Sequence, residues 1–448
     1  MLINKIHISN FKNFENVEVN LGKMNVIVGA NASGKSNFIK ALKFVKDIKY
    51  AGIDNAISMN GGIEYLRNIQ SKDNTITFIE IHFESNGGRV IDMFTPDDLI
   101  VLEFSKVIYR IELTTKKQKY DIVNEEFKYA IKIKGLKDHK SKFEQEIEKN
   151  VSDSNLLGEY NFSLSLKKGK VIFNNPVKEN LLVTSSNGIK KEINKNKISP
   201  FLFPIDFFIE NEILQRREVG NNIIRNRKTL LERYSFLIPT DLLDFFVYDF
   251  DLKKAKETTP LTAKIELEEN GENLAIVIKN ILEDKEKTRQ LSNLLTDILP
   301  FIKDLEIDKY YNNSLFFKAK EVYYPNAHIP SYLLSDGTIS VTAIIIALFF
   351  EDNNLSIIEE PEQGIHPALI AKLMQLFYSA SERKQVIITT HSPEILKHIK
   401  NLQDLILVSR NEKGFATTSK PIEQEMVKAF LENELGIDLL FTQNLLDS

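Results

Sequence analysis

The hydrophobic pattern at the start of the chain predicts three strands and then a helix. Apolar and polar residues alternate over Leu2–Ile8 and Val17–Leu21, as they do in half-buried strands. Met24–Val28 is a continuous apolar run of the kind found in a buried central strand. A helical pattern follows at Asn37–Lys46, and another alternating strand is predicted at Ile76–Phe83.

The middle of the chain changes character, because lysine, asparagine and glutamate become frequent and no glycine-rich site occurs. Alternating runs at Val107–Leu113 and Tyr160–Leu166 predict strands. Helices are predicted at Thr240–Phe250 and Asn273–Leu299. This region is therefore predicted to be an insertion, with strands in its front half and mainly helices in its back half.

Strand-like patterns return towards the end of the chain. Strands are predicted at Leu305–Ile307 and Leu315–Val322, followed by a strongly apolar helix at Ile339–Phe350. Leu355–Pro361 and Gln385–Thr389 are predicted to be buried strands, and the first of them ends in two carboxylates. The end of the chain, like its beginning, is predicted to mix strands and helices.

Composition excludes several kinds of function. The chain has 448 residues and no cysteine, which excludes disulfides, thiolate metal sites and a cysteine nucleophile. Its net charge of −4 gives no general attraction to nucleic acid, although a local basic surface is not excluded. The longest apolar run, Val341–Phe350, is too short to cross a membrane, and the N-terminus lacks the pattern of a signal peptide. A cytoplasmic protein outside the membrane is predicted.

One segment of the insertion, Glu212–Arg233, combines a helical pattern with an excess of positive charge. Its basic residues are Arg216, Arg217, Arg225, Arg227, Lys228 and Arg233. Such a helix face can meet phosphates or an acidic partner. A solvated face is the alternative, since no aromatic stacking ladder accompanies the charges. Nucleic acid is therefore kept as a partner to be tested.

The stretch GANASGKS, Gly29–Ser36, fits the phosphate-loop pattern G-x-x-x-x-G-K-[ST] and lies between a predicted buried strand and a predicted helix. The predicted nucleotide-binding positions are Gly29, Ala30, Asn31, Ala32, Ser33, Gly34, Lys35, Ser36 and Asn37. Lys35 would neutralise the β- and γ-phosphates of a bound nucleotide, and the Ser36 hydroxyl would bind magnesium. A plain glycine turn between strand and helix is the alternative.

Two carboxylates, Glu359 and Glu360, end a predicted buried strand. Carboxylates at the end of an apolar strand are costly to bury unless they meet a cation or hydrogen-bond donors. Because side chains of a strand alternate in direction, the two acids are expected to do different jobs. Glu359 is predicted to hold magnesium, and Glu360 to orient and polarise the attacking water.

His391 follows the predicted strand Gln385–Thr389, where ligand-binding groups of open α/β sheets collect. It is predicted to donate a hydrogen bond to the γ-phosphate, although a lone histidine is more often structural. Ser335 and Gly337 precede the apolar helix and form a second candidate for anion binding, with a simple helix N-cap as the alternative.

Two further segments have weaker signals. Asn10–Phe14 places aromatic and basic residues where an adenine or ribose could be bound, and a turn with two core phenylalanines is the alternative. Gln70 is a candidate sensor of the γ-phosphate, but an exposed loop glutamine is the favoured interpretation.

Four motifs in this order resemble the ATP-binding-cassette type of P-loop ATPase found in the SMC, RecF and OLD families. GANASGKS resembles Walker A, LLSDGT the signature motif, LSIIEEPEQGIHP Walker B with its D-loop, and ITTHSPEIL the switch-histidine segment. The opening residues INKIHISNFKNFENVEV resemble the OLD-like AAA-type ATPases of prokaryotic defence systems in particular. The resemblance covers both ends of the chain and only loosely its middle.

The resemblance implies an α/β fold, namely a cassette-type P-loop ATPase head with a mixed sheet and flanking helices, interrupted by a large α+β insertion. The head is expected at residues 1–95 and 301–448, and the insertion at 96–300. OLD nucleases carry a Toprim domain after the ATPase, and the residues after His391 are expected to be too few for one.

Two positions depart from the wider cassette pattern. The first acid of Walker B is Glu359 where aspartate is usual, which leaves the length of its magnesium contact open. The signature is SDGT rather than SGGQ, so contact with a partner's nucleotide is expected at Ser335 and Gly337 and left open at Asp336 and Thr338.

The resemblance also implies composite sites that form between subunits. The residues of one subunit that would hold magnesium and ATP are Lys35, Ser36, Glu359, Glu360 and His391. Ser335 and Gly337 of a second subunit would close over the γ-phosphate, so that ATP joins a homodimer or higher homo-oligomer and hydrolysis loosens it. The chain is thus predicted to be an ATPase switch that controls a separate effector in defence against phage or plasmids. A RecF-like ATPase of DNA repair or recombination, and a scaffold that binds ATP without hydrolysing it, are the alternatives.

Overall fold

The structure of the chain is a computed structural model. It describes residues 2–68, 70–71, 74–85, 90–94, 99–116, 119–135, 155–167, 169–174, 181–184, 190–193, 228–233, 240–310, 313–324 and 326–423. The predicted basic residues Arg216, Arg217, Arg225 and Arg227 lie outside the described residues. Contacts divide the chain into two compact units, unit 1 with Met1–Asn20 and Ala41–Leu243, and unit 2 with Leu21–Lys40 and Asp244–Ser448.

Strands are more numerous than helices in the part of the chain that the structure describes. The strands are β1 Leu2–Phe11, β2 Phe14–Asn20, β3 Met24–Val28, β4 Ile76–Glu84, β5 Val90–Phe94, β6 Leu99–Lys116, β7 Lys119–Gly135, β8 Asn155–Lys167, β9 Lys170–Asn174, β10 Leu181–Thr184, β11 Lys190–Ile193, β12 Phe245–Tyr248, β13 Thr259–Pro260, β14 Ile302–Tyr310, β15 Ser314–Glu321, β16 His328–Pro330, β17 Leu355–Glu359, β18 Gln385–Thr390, β19 Leu405–Arg410 and β20 Ala416–Ser419. The helices are α1 Lys35–Ala51, α2 Ile53–Met59, α3 Ile63–Leu66, α4 Leu230–Arg233, α5 Leu252–Ala255, α6 Leu274–Leu282, α7 Lys285–Ile298, α8 Asp336–Phe349, α9 Pro367–Ser381 and α10 Pro393–Leu396.

Unit 1 is built on an antiparallel sheet with the strand order β2, β1, β4, β6, β7, β8 and β9, and β5 pairs with β6. Alternation buries one face of these strands, as in β1, where Ile6 and Ile8 are fully buried and His7 between them is partly exposed. The strands predicted from alternation at the start of the chain and at Val107–Leu113 and Tyr160–Leu166 are confirmed.

Aromatic residues of the first turn belong to the core of unit 1. Phe11 and Phe14 are fully buried, and the ring of Phe11 lies 6.1 Å from that of Phe44. The core interpretation of the segment Asn10–Phe14 is therefore confirmed. Gln70 lies in an exposed turn of this unit, in agreement with the favoured interpretation.

A buried carboxyl group in unit 1 joins β7 to the start of α4. Glu125 is fully buried and accepts hydrogen bonds from the backbone N–H groups of Leu230 and Leu231 and from the Tyr109 hydroxyl, the last at 3.0 Å. Burial raises the pKa of Glu125 to about 7, although these three donors act in the opposite direction. The group therefore binds α4 to the sheet and titrates near neutral pH.

Unit 2 contains a parallel sheet with the strand order β12, β17, β18, β3 and β19, and β20 pairs antiparallel with β19. All residues of β3 and β18 are buried, which explains why both are nearly continuous apolar runs. Parallel strands place their carboxyl ends on one edge of a sheet, so the loops after β3, β17 and β18 emerge together.

Helices and a smaller sheet enclose the core of unit 2. The small sheet has the order β13, β15 and β14, with β16 on β15. Helix α8 is apolar on nearly all sides and is buried from Thr338 to Leu348, as its sequence predicts. No helix in the described part of the chain is both long and apolar enough to cross a bilayer.

Two helix predictions differ from the structure. The predicted helix Thr240–Phe250 is wrong, because Phe245–Tyr248 forms strand β12 and pairs with β17. Its short aromatic and apolar run fits a buried strand as well as a helix, and pairing decides between them. The predicted helix Asn273–Leu299 is two helices, since Asp284 accepts from the N–H groups of Glu286 and Lys287 and caps α7.

The predicted domain division at 95 and 300 stays a prediction, and the compact units have other bounds.

We expect Glu125 to make stability depend on pH. A free glutamate has a pKa of about 4.3, and the pKa of Glu125 in the folded chain is about 7. Between these values the folded state holds a proton that the unfolded state has released, so rising pH favours unfolding. Glu125→Gln has no such proton, and its loss of unfolding free energy between pH 5 and 8 should be smaller by roughly 2 kcal/mol.

Urea unfolding of the parent chain and of Glu125→Gln at both pH values measures this difference. Glu64→Gln makes the same chemical change at an exposed position of unit 1 and should keep the parent's pH dependence. Equal pH dependence in the parent and in Glu125→Gln would contradict the assignment.

Candidate functional site

The loop Gly29–Gly34 connects β3 to the N-terminus of α1. Gly29 packs so closely that a Cβ atom there would lie 2.1 Å from the carbonyl oxygen of Val408, and only glycine fits. Gly34 has φ 131° and Ala32 has φ 64°, both in the left-handed region. That conformation costs a non-glycine residue on the order of 1–3 kcal/mol, so the surroundings of Ala32 must support it. The loop therefore has a fixed turned shape in front of the positive end of a helix.

Lys35 begins α1, and only 6% of its surface is exposed. Its Nζ atom donates to the carbonyl oxygens of Gly29 at 2.7 Å and Ala30 at 3.1 Å. Burial lowers the pKa of Lys35, and the nearby carboxylates of Glu360, Glu362 and Glu359 act in the opposite direction. Charged phosphate oxygens are stronger partners for an ammonium group than these carbonyls, so the side chain is suited to bind an anion in the loop.

Ser36 and Glu359 meet although 323 residues separate them in the sequence. The Ser36 hydroxyl donates to Oε2 of Glu359 at 2.7 Å. Ser36 lies in the first turn of α1 and Glu359 is the last residue of β17, so helix and strand together place the two groups. A hydroxyl and a carboxylate are oxygen ligands of the kind that Mg²⁺ prefers.

Glu360 and His391 form a second pair at the same sheet edge. Nδ1 of His391 lies 3.1 Å from Oε1 of Glu360, and the two side chains are 45% and 39% exposed. Glu360 has φ 44°, which is unusual for a residue other than glycine, and its N–H donates to the Thr389 carbonyl at 2.9 Å. Glu359 and Glu360 therefore have different partners, because Glu359 ends β17 and Glu360 leaves the strand with a positive φ.

A third carboxylate, Glu362, was not assigned from the sequence. Its Oε1 accepts a hydrogen bond from the Thr390 hydroxyl at 2.5 Å, and that hydroxyl accepts one from the N–H of Ser392 at 2.9 Å. Burial raises the pKa of Glu362. Glu362 therefore holds both neighbours of His391 in the chain, and its position two residues after Glu360 is the signal that could have identified it.

Ser335 and Gly337 lie at the start of α8. The Ser335 hydroxyl accepts from the N–H of Thr338 at 3.2 Å and lies 2.9 Å from the Thr338 hydroxyl, so it caps the helix. A Cβ atom on Gly337 would lie 2.9 Å from the carbonyl oxygen of Gly364, which gives this glycine a packing role. Asp336 forms an ion pair of 2.5 Å with Lys256, a residue that was not assigned from the sequence.

Three neighbouring strand ends bring most of the predicted site together. Strands β17, β18 and β3 are adjacent, and they are followed by Glu360, His391 and the phosphate loop. Strand β19 lies on the other side of β3 and ends at Arg410, whose Nε donates to the carbonyl oxygen of Ala32 at 2.8 Å. Neither β19 nor Arg410 was predicted. Ser335 makes its hydrogen bonds within α8 and serves as a cap in the single chain.

Comparison with known proteins identifies a relative of this chain. Endonuclease GajA of Bacillus cereus (strain VD045) is 26% identical over 422 residues, which is 92% of this chain and 59% of that protein. The chain therefore spans less than two thirds of the length of this relative.

Solved structures with a similar arrangement include heads of SMC proteins. The crystal structure of the SmcHead bound to the C-winged helix domain of ScpA has 15% identity and a TM-score of 0.49, over 94% of this chain and 97% of that one. The SMC head domain from Thermotoga maritima has 12% identity and a TM-score of 0.41, over 94% of this chain and 99% of that one.

A family model places the chain more directly. The family described as "AAA domain, putative AbiEii toxin, Type IV TA system" matches residues 24–397, from the first residue of β3 to the residue after α10. This span contains the phosphate loop, the Ser36–Glu359 and Glu360–His391 pairs and the start of α8. It confirms the resemblance to P-loop ATPases. Because the match covers well over half of the sequence, the chain belongs to this AAA-domain family.

Proposed function

We propose that this chain is an ATP-hydrolysing molecular switch whose nucleotide sites are completed between two subunits. The observation that carries the proposal is the meeting of three groups at one sheet edge: the buried Lys35 ammonium, the Ser36–Glu359 pair and the Glu360–His391 pair. A glycine turn without function would need none of these pairs. Together they supply phosphate binding, metal binding and proton transfer.

Binding of ATP follows from the loop and from the groups around it. The N–H groups at the start of α1 and the Lys35 ammonium would receive the phosphate oxygens. Ser36 and Glu359 fit magnesium, because their oxygens are of the preferred kind and lie 2.7 Å apart. A magnesium ion bound there neutralises part of the phosphate charge.

Hydrolysis requires a group that accepts a proton from water. In the proposed step a water oxygen attacks the γ-phosphorus, the bond to the bridging oxygen breaks, and ADP leaves with that bond's electron pair. Glu360 accepts the proton that the water releases. With both ring nitrogens protonated, His391 would donate from Nδ1 to the Glu360 carboxylate and from Nε2 to the γ-phosphate.

A second subunit is proposed to close the site with the start of its α8. The first N–H groups of this helix form an anion-binding end, and Ser335 is exposed beside them. Loss of the γ-phosphate would remove the group that both subunits bind, so hydrolysis would separate them.

We extend the proposal from the switch to its output. The relative is named an endonuclease, and the family description names a toxin. For this chain we propose the ATPase part of such a system, acting in defence by controlling a separate effector. Nucleic acid and the effector are its proposed partners.

We expect Lys35→Ala to weaken MgATP binding by roughly a hundredfold or more, because the loop loses its buried cation. Isothermal titration of the purified chain measures the affinity. Lys40→Ala, an exposed lysine on the same helix, should bind ATP like the parent. Unchanged affinity in Lys35→Ala would remove the phosphate-loop assignment.

We expect Glu360→Gln to retain ATP binding and to lower kcat by about 10²–10⁴-fold, because glutamine cannot accept the proton from water. The ATP-bound variant should also remain in a larger species by sedimentation velocity. Glu382→Gln makes the same change at an exposed helix end and should hydrolyse ATP normally. Undiminished turnover in Glu360→Gln would take Glu360 out of the proton-accepting role.

Mixing two inactive variants tests the composite site. Ser335→Asp keeps a helix-capping side chain but brings negative charge to the nucleotide, so it should be inactive without losing its fold. In a mixed dimer of Ser335→Asp and Lys35→Ala chains, one site has both residues intact. Roughly a quarter of the parent's ATPase rate should return on mixing, because about half of randomly formed dimers are mixed and each has one good site. A mixture as inactive as its components would contradict a site shared between subunits.

A further inference from the structure

The end of strand β19 lies directly beside the phosphate loop. Leu405, Ile406 and Leu407 pair with the last residues of β3, so the three residues that follow them run alongside the loop. Gly29 approaches the Val408 carbonyl so closely that no side chain fits between them. A side chain at the end of β19 is therefore within reach of the loop backbone.

Arg410 is that side chain, and it contacts the most unusual residue of the loop. Its Nε donates to the carbonyl oxygen of Ala32 at 2.8 Å. Ala32 is exposed and has φ 64°, a conformation that glycine adopts easily and alanine does not. The hydrogen bond from Arg410 fixes the orientation of this carbonyl and so opposes relaxation of Ala32 to an ordinary conformation.

The remainder of the guanidinium is not used elsewhere in the described part of the chain. Arg410 is exposed and forms no ion pair with a described carboxylate. A guanidinium has five N–H donors in a planar fork, and the contact with Ala32 uses one of them. The group is therefore anchored by a backbone carbonyl and keeps its positive charge next to the loop.

We propose that Arg410 is a positioning residue of the phosphate loop, which it holds in its binding shape before the nucleotide arrives. This inference rests on the proposed function, because the value of a preformed loop lies in receiving phosphates. Without Arg410 the Ala32 peptide samples other orientations, and each nucleotide must restore the bound shape at the expense of affinity. The ligand that the positioned loop would receive is the nucleoside triphosphate of the proposed function.

The first test measures the loop without any ligand. Backbone hydrogen exchange over residues 29–34 should be faster in Arg410→Ala than in the parent chain when nucleotide is absent. Lys413→Ala removes a positive charge from an exposed turn three residues away and should leave exchange in the loop unchanged. Equal exchange in Arg410→Ala and the parent would overturn the proposal, and would point instead to a direct contact with the ligand.

The second test measures ATP affinity in a double-mutant cycle. Arg410→Ala should weaken MgATP binding about tenfold, with kcat at saturating ATP little changed. In an Ala32→Gly background the same substitution should have a clearly smaller effect, since glycine adopts the left-handed conformation without support. An effect of Arg410→Ala that is equally large in both backgrounds would overturn the positioning role.

These results also separate the two proposals. If the parent chain and Lys35→Ala both fail to bind MgATP, the proposed function itself fails. If the parent binds and Lys35→Ala does not, while Arg410→Ala matches the parent in exchange and affinity, only the inference about Arg410 fails.

Discussion

The buried positive charge of Lys35 is the constraint on which the site depends. An ammonium group with 6% of its residue surface exposed must find acceptors, and it takes the two carbonyl oxygens at the start of the loop. The carboxylates after β17 add favourable charge around it, which offsets part of the cost of burial. Removing the lysine would remove a favourable positive charge near these carboxylates, so the cation of the loop and the carboxylates stabilise each other in the folded chain.

The parallel sheet brings the residues of this site together although they are distant in the sequence. Residues near positions 29, 360, 391 and 410 are far apart in the chain, but each follows or ends a neighbouring strand of the sheet. The pairing of a continuous apolar strand fixes the position of the polar residue that follows it. A shift in pairing would carry polar residues into the core. The precision of the Ser36–Glu359 and Glu360–His391 contacts therefore originates in the apolar strands beneath them.

Much of this site was predictable from the sequence, since its residues occur in local patterns with a physical reason. The phosphate loop is recognised by its glycines and lysine. Glu359 and Glu360 are recognised as acids at the end of an apolar strand. Strand β12 was missed because Phe245–Tyr248 is too short to show a period, and only pairing with β17 makes it a strand. Arg410 was missed because the sequence does not show its hydrogen bond to the carbonyl oxygen of Ala32, a residue 378 positions away. Local patterns indicate which groups do chemistry, whereas supporting contacts depend on the tertiary structure.

The close approach of Gly337 and Gly364 sets the evolutionary freedom of the SDGT segment. A methyl group at 337 would press on a backbone carbonyl, and one at 364 would meet Asp336 in a backbone conformation with φ 74°. Because neither glycine can be replaced alone, substitutions in this segment are expected at positions 336 and 338. Asp336 forms an ion pair with Lys256, and the N–H of Thr338 donates to the capping Ser335 hydroxyl. Among descendants of this sequence, Gly337 and Gly364 are expected to be inherited as a pair, while positions 336 and 338 vary.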